Sequence, residues 1–259
     1  MAGQHGDGRP AYQHPHRDTY THRIKKDQKT LADSIFYSLL FGLICLDQRY
    51  VFQFNISQPL FTSTLIGLLS GHVQEAVYFG ALVQLLWLSN LPVGASVIPD
   101  GNIASVIGTV LYIKYSAIYA EHGYFLLLIS IFLVVLFSYV GGQLDIFARY
   151  RNEHIMNHAL QALKRKDKKV RLGVYIIPSL LGHFLLNALL ILTGIESASW
   201  LLDILYQKVP AILNIHWRFV EIALIGTGIG MILGIYHDKK KYALIGAAAV
   251  LILIIRMIH

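Results

Sequence analysis

Four stretches of this chain, Tyr124 to Gly141, Leu172 to Gly194, Phe219 to Tyr236 and Tyr242 to Ile258, are nearly unbroken apolar runs. Each comes close to the roughly 20 residues a helix needs to cross a bilayer. Hydrocarbon offers no water to pair with backbone N–H and C=O groups, so it admits only helices and closed barrels. The runs are continuous rather than alternating, and too long for barrel strands of about ten residues, so helices are predicted. Composition agrees: 55% of the 259 residues are apolar and 14% are charged, against about 25% charged in ordinary soluble domains. The expectation is an all-α polytopic membrane protein, with one integral membrane domain over 31–259.

The formal net charge of +7 is unevenly spread. Lys and Arg gather in Arg23 to Lys29, Arg149 to Arg171 and Lys239 to Lys241. The excess of cations in cytoplasmic loops of membrane proteins accounts for them, and without a recognised binding module no nucleic acid is expected as a partner. Residues 1–30 are polar, rich in Gly, Pro and His, and lack apolar periodicity; they read as a mobile cytoplasmic tail rather than a signal peptide. The polar segment near 143–171 carries Ile155, Ala159, Ala162 and Leu163 at helical spacing, which predicts an amphipathic cytoplasmic helix lying against headgroups. His5, His14, His16 and His22 are irregularly spaced, and His154 and His158 lack a third ligand, so no metal is assigned. Cys45 sits in an apolar run and reads as a packing residue. Gly226, Gly230 and Gly234 recur every fourth residue, a spacing that lets helix backbones approach closely. No HExxH, GxSxG or phosphate-binding loop occurs, and neither a catalytic residue nor a cofactor is assigned.

Between the apolar runs lies an interruption. The segment from Gly80 to Ser105 starts as an apolar helix, breaks at Asn90, Pro92, Gly94, Pro99, Asp100 and Gly101, and turns apolar again. Before it, Leu60 to Ser70 is too short to cross about 30 Å of hydrocarbon and reads as a re-entrant or half helix. The second half also combines long runs with a short interrupted segment, from Ala198 to Phe219. Paired interrupted segments point to a transporter built from inverted repeats, with broken helices meeting near the midplane. Polar residues at such depth are costly, so those that occur are candidates for function. They are Asp47 and Gln48, Gln84, Asn90, Asp100 and Asn102, then His183, Asn187, Asn214, His216, Arg218 and Glu221. Of these, Asp47, Gln84, Asn90, Asp100, Asn102 and Asn214 are the substrate-binding candidates. Carboxylates and amides suit a polyhydroxy ligand such as a sugar, whose hydroxyls both donate and accept. The same residues also suit plainer work, with Asn90 and Asp100 capping half helices and Gln84 joining two helices. Arg218 and Glu221, three apart, read as an internal ion pair.

The stretch from Asp47 to Ile113 resembles the IIC membrane component of the mannose/fructose/sorbose family of the phosphoenolpyruvate-dependent sugar phosphotransferase system. The resemblance rests on Asp47, the aromatic turn at Phe52 to Phe54, Pro59-Leu60, the apolar segment between Gly67 and Gly71, and Val93 to Asp100, with Gly94-Ala95 and Pro99-Asp100 its most specific part. It implies an elevator-type permease subunit of the bacterial inner membrane that translocates a hexose-type sugar. It further implies a IID membrane partner, a IIB phosphocarrier as phosphate donor, and assembly as a trimer of IIC and IID pairs. The chain departs from the family pattern at Gln84, where a glutamate is common, and after Asn214, where Ile215, His216, Trp217 and Arg218 replace small residues. Those departures leave a second possibility open: a membrane scaffold or regulator that kept the fold and lost transport. An ion-coupled carrier is a third, weaker one.

Overall fold

A computed structural model describes residues 31–48, 50, 51, 53–88, 99–116, 118, 123–164, 173–206 and 219–235. Seven helices and no strand occur among them: α1 (Leu31–Gln48, its last turn a 3-10 helix), α2 (Pro59–Ser70), α3 (Val73–Trp87), α4 (Gly101–Ser116), α5 (Gly123–Lys164), α6 (Gly173–Tyr206) and α7 (Phe219–Ile235). The architecture is the expected helical membrane bundle. α1, α5 and α6 are long and apolar enough to span a bilayer. By contrast α2, α3 and α4, with 12, 15 and 16 residues, extend roughly 18 to 24 Å at 1.5 Å per residue and stop short of crossing.

Two long helices correct the reading by hydropathy. α5 does not end where the apolar run ends at Val140; it continues without a break through the polar segment to Lys164, 42 residues in all. The amphipathic stretch therefore stands as an axial extension packed against α6 rather than as a separate surface helix. Ser179 Oγ of α6 donates to Asn152 Oδ1 at 2.7 Å, and Arg151 donates to the Ser179 carbonyl at 3.1 Å. α6 likewise passes beyond Gly194 to Tyr206 as a single helix, because Glu196 and Ser197 interrupt the hydropathy but not the backbone.

α2 and α3 form a tight antiparallel hairpin about Gly71, whose φ of 77° takes the left-handed conformation that ends α2. A side chain at Gly67 would come within 2.6 Å of Ala76 Cβ, and one at Gly80 would collide with Ser63. The hairpin is bound to α4 by hydroxyl pairs, Thr62 with Ser105 at 3.2 Å and Ser63 with Thr109 at 2.7 Å. α4 lies at the centre, buried at almost every position from Gly101 to Thr109. Around it Phe41, Ile66, Ile107, Leu111, Leu126 and Ile191 form the main core, with Cys45 packed among them.

The helices run alternately up and down. Leu31 opens α1 at the end where α2 and α4 finish, since Asp33, Ser70 and Lys114 line one cavity. The basic extension of α5 stands at the opposite end. Leu31 and the basic extension of α5 thus stand at opposite ends of the bundle. α7 buries Leu224 and lays Gly228 against Leu85, whereas a methyl added to Gly226, Gly230 or Gly234 would meet nothing within 4 Å. Its small-residue row therefore lies away from the described core.

Close packing of the hairpin gives a direct test. Gly80→Val should lower stability by about 1–3 kcal/mol through overpacking, whereas Gly226→Ala should stay within about 0.5 kcal/mol of the parent. Thermal unfolding of both variants in one detergent makes the comparison.

Candidate functional site at three helix ends

The N-termini of α2 and α4 and the C-terminus of α3 come together beside the loop that leaves α1. Asp47 organises that loop. Its carboxylate, 3% exposed, accepts from the Phe54 N–H through one oxygen and from the Ile56 N–H through the other, both at 2.8 Å. Gln53 and Asn55 adopt φ of 55° and 62°, a left-handed geometry that Asn tolerates better than most residues. The two turns aim the alternate amides of Phe54 and Ile56 inward, and one carboxylate holds both. Phe54 is left 71% exposed.

The loop delivers Ser57 and Gln58 to the other helices. Ser57, buried, accepts from Asn102 Nδ2 at 3.0 Å. Gln58 is the N-cap of α2, yet its own side chain makes no capping bond. Gln84 of α3 does that work instead. Its Oε1 accepts from the Leu60 N–H at 3.3 Å, while its Nε2 donates to Gln58 Oε1 at 3.3 Å. An amide is suited to this position because it offers an acceptor to a backbone donor and a donor to a carbonyl oxygen at once. The neutral amide at 84 thus has one bond at each end, both internal.

Asp100 caps α4 in the ordinary way, its Oδ1 accepting from the Asn102 and Ile103 N–H groups at 3.0 and 3.2 Å. Its own N–H donates to the Ser138 carbonyl of α5 at 2.8 Å, and Gly141 leaves room for its Cβ, which would sit 2.9 Å from a side chain there. Trp87, at the last position of α3, donates from Nε1 to the Pro99 carbonyl at 3.1 Å and covers Gly101. Ser138 lies roughly 22 Å along α5 from Gly123 at 1.5 Å per residue, within the apolar run of a helix long enough to span a bilayer.

Asp47, Gln84, Asp100 and Asn102 are therefore joined in one network whose hub is the loop 54–60. Asn90 and Asn214 lie outside the described residues, as do His216 and Arg218. His183 and Asn187 are buried on α6, and the His183 ring stands 4.4 Å from that of Tyr50. They belong to the α1–α6 contact, apart from the network. Ser57, Gln58 and Trp87 escaped sequence reasoning. The signal for Gln58 was present, since a polar residue directly before Pro59 marks a helix start. Because Asp47 serves two N–H groups, Asp47→Asn turns one acceptor into a donor facing a donor. It should cost about 1–3 kcal/mol, read as a lower unfolding midpoint in detergent.

A family model described as the sorbose-specific IIC component of the phosphotransferase system matches residues 32–258. The chain is 33% identical over 61 residues to the mannose-specific EIIC component of Escherichia coli (strain K12), a match covering 24% of this chain and 23% of the relative. It is 31% identical over 97 residues to the sorbose-specific EIIC component of Klebsiella pneumoniae, covering 38% and 34% respectively. With the fructose permease IIC component of Bacillus subtilis (strain 168) it shares 31% identity over 112 residues, covering 43% and 39%. The aligned segments thus span less than half the length of these curated relatives. A solved chain titled "Structure of membrane protein" superposes with a TM-score of 0.62 at 17% identity, covering 84% of this chain and 85% of that one, a likeness of fold. With its broken helices, its spanning helices and a family match over nearly its whole length, the chain belongs to the sorbose-specific IIC family of phosphotransferase-system permease components.

Proposed function

We propose that this chain translocates a hexose-type sugar, bound where α2, α3 and α4 break off. The observation that carries this reading is the convergence of Asp47, Gln84, Asp100 and Asn102 on helix ends at membrane depth in a member of the IIC family. Such ends combine carbonyl, amide and carboxylate groups, the mixed donors and acceptors that sugar hydroxyls need. The exposed ring of Phe54 offers an apolar face to the sugar's C–H groups. Asn90 and Asn214 complete the proposed set.

In this reading the chain works with a IID membrane subunit, and a IIB protein supplies the phosphate, so no residue of this chain is phosphorylated. The complex is a trimer of IIC and IID pairs in the bacterial cytoplasmic membrane, with the basic extension of α5 on the cytoplasmic side. The hairpin and α4, tied together by their hydroxyl pairs, move as the elevator block, and the two halves of the chain form inverted repeats. Basic side chains from Arg149 to Lys164 then meet acidic protein surfaces or anionic lipid.

A second reading, a scaffold that kept the fold without transport, draws on one observation: both ends of the Gln84 amide are already spent on internal bonds. Two experiments separate the readings. With matching IIB and IID chains, cells should accumulate labelled hexose or amino sugar only when phosphoenolpyruvate is available. Asn102→Ala should reduce that uptake by about tenfold, the effect of losing one or two hydrogen bonds in a buried site. An intact complex that takes up no sugar at all refutes transport and leaves the scaffold. At position 84, Gln84→Glu should remain folded, because a carboxylate still accepts from Leu60 and from a reoriented Gln58 amide. Gln84→Leu should lose about 1 kcal/mol, compared by unfolding midpoint. Improved sugar binding in Gln84→Glu favours the transporter, and unchanged absence of binding favours the scaffold.

A further inference from the structure

At the bundle end opposite the α5 extension, α1, α2, α4 and α6 enclose a cavity of about 180 Å³. Its polar lining is Asp33, Ser34, Tyr37, Ser70 and Lys114. Lys114 Nζ donates to Ser199 Oγ at 3.1 Å and stands 5.4 Å from the centroid of the Tyr115 ring. Among the described residues no carboxylate lies within 4.0 Å of this ammonium, and Asp33 has no cation at that distance either. The remaining wall is branched aliphatic, from Ile66, Val110, Ile113 and Ile195.

One cation and one anion thus share a small cavity without pairing to each other, Lys114 half-buried and Asp33 exposed, and each gains from an opposite charge brought to it. Lys114 is two residues from the end of α4, and Asp33 of α1 lines the same cavity at that end of the bundle. From there an exposed apolar face of α1, with Ile35, Phe36, Leu39 and Leu43, runs toward the middle of the bilayer.

We propose that this cavity binds the headgroup of a zwitterionic phospholipid bearing a primary amine, its phosphate on Lys114 and its ammonium on Asp33, with an acyl chain along the exposed face of α1. The aliphatic wall favours a lipid over a free polyol. A hexose here would turn several hydroxyls toward Ile66, Val110, Ile113 and Ile195 with nothing to pair them. A lipid instead continues its apolar part along α1. This site lies at the far end of α2 and α4 from the proposed sugar site, and the two proposals stand or fall separately.

The test mixes the purified full-length chain in mild detergent with phosphatidylethanolamine, phosphatidylcholine and phosphatidylglycerol of identical acyl chains, and counts retained lipid by native mass spectrometry. Phosphatidylethanolamine should be retained about fivefold over either of the others, the scale of one partly exposed ion pair. The preference should vanish in Asp33→Asn, whereas Lys114→Met should lower retention of all three lipids and Lys114→Arg should keep both retention and preference. Because Asp33 is exposed, Asp33→Asn carries the test if Lys114→Met fails to fold. Equal retention of the three lipids overturns the proposal, as does a preference that survives loss of Asp33. Displacement of the bound lipid by millimolar free hexose overturns it in favour of a polyol site.

Discussion

A helix that stops inside a bilayer leaves its first N–H groups and last carbonyls with no water to turn to, and the whole central part of this protein is arranged around that debt. Three helices end at one depth. Side chains meet part of that need: Asp100 caps its own helix and Gln84 reaches across from α3 to α2, while Trp87 donates to the carbonyl that precedes Asp100. Asp47 holds the loop that presents Ser57 and Gln58 to their partners. The bonds that depend on the segment it shapes are those of Gln84 to Leu60 and Gln58 and of Asn102 to Ser57.

The hydroxyl pairs between the hairpin and α4 answer a different need. Lipid supplies no hydrophobic force between helices, so association rests on close packing and on bonds between small polar groups. Gly67 and Gly80 let α2 and α3 touch, and Thr62, Ser63, Ser105 and Thr109 then fasten the pair to the buried central helix. A similar logic holds α5 to α6, where Asn152, Arg151 and Ser179 bind two long helices beyond the depth of the proposed sugar site. Asp145, 2% exposed, is held there by Arg149 Nε at 2.9 Å.

Much of this was legible in the sequence, for reasons that can be stated residue by residue. The apolar runs announced α5 and α7, and the shortness of Leu60 to Ser70 announced a helix that does not cross. Pro99-Asp100-Gly101 could be read as a helix start because an Asp before a Gly-led apolar run is a capping arrangement. The true lengths of α5 and α6 were not legible, because hydropathy marks where a helix leaves the membrane and not where its backbone ends. From Gln143 to Lys164 there is no Pro or Gly to stop it. Nor could the partners of the site residues be read. Asn102 and Ser57 stand 45 positions apart, and Gln84 and Gln58 stand 26 apart; only the folded chain brings them together.

The bridge between Gln84 and Gln58 has one more consequence. Both side chains are uncharged amides, so the link that anchors α2 to α3 has nothing to gain or lose by protonation. A net charge at this depth would feel the transmembrane voltage, at about 2.3 kcal/mol per elementary charge for 100 mV across the whole membrane. The neutral bridge feels none. The bridge itself therefore gives a membrane voltage nothing to act on, and the charged groups of this network are the carboxylates of Asp47 and Asp100.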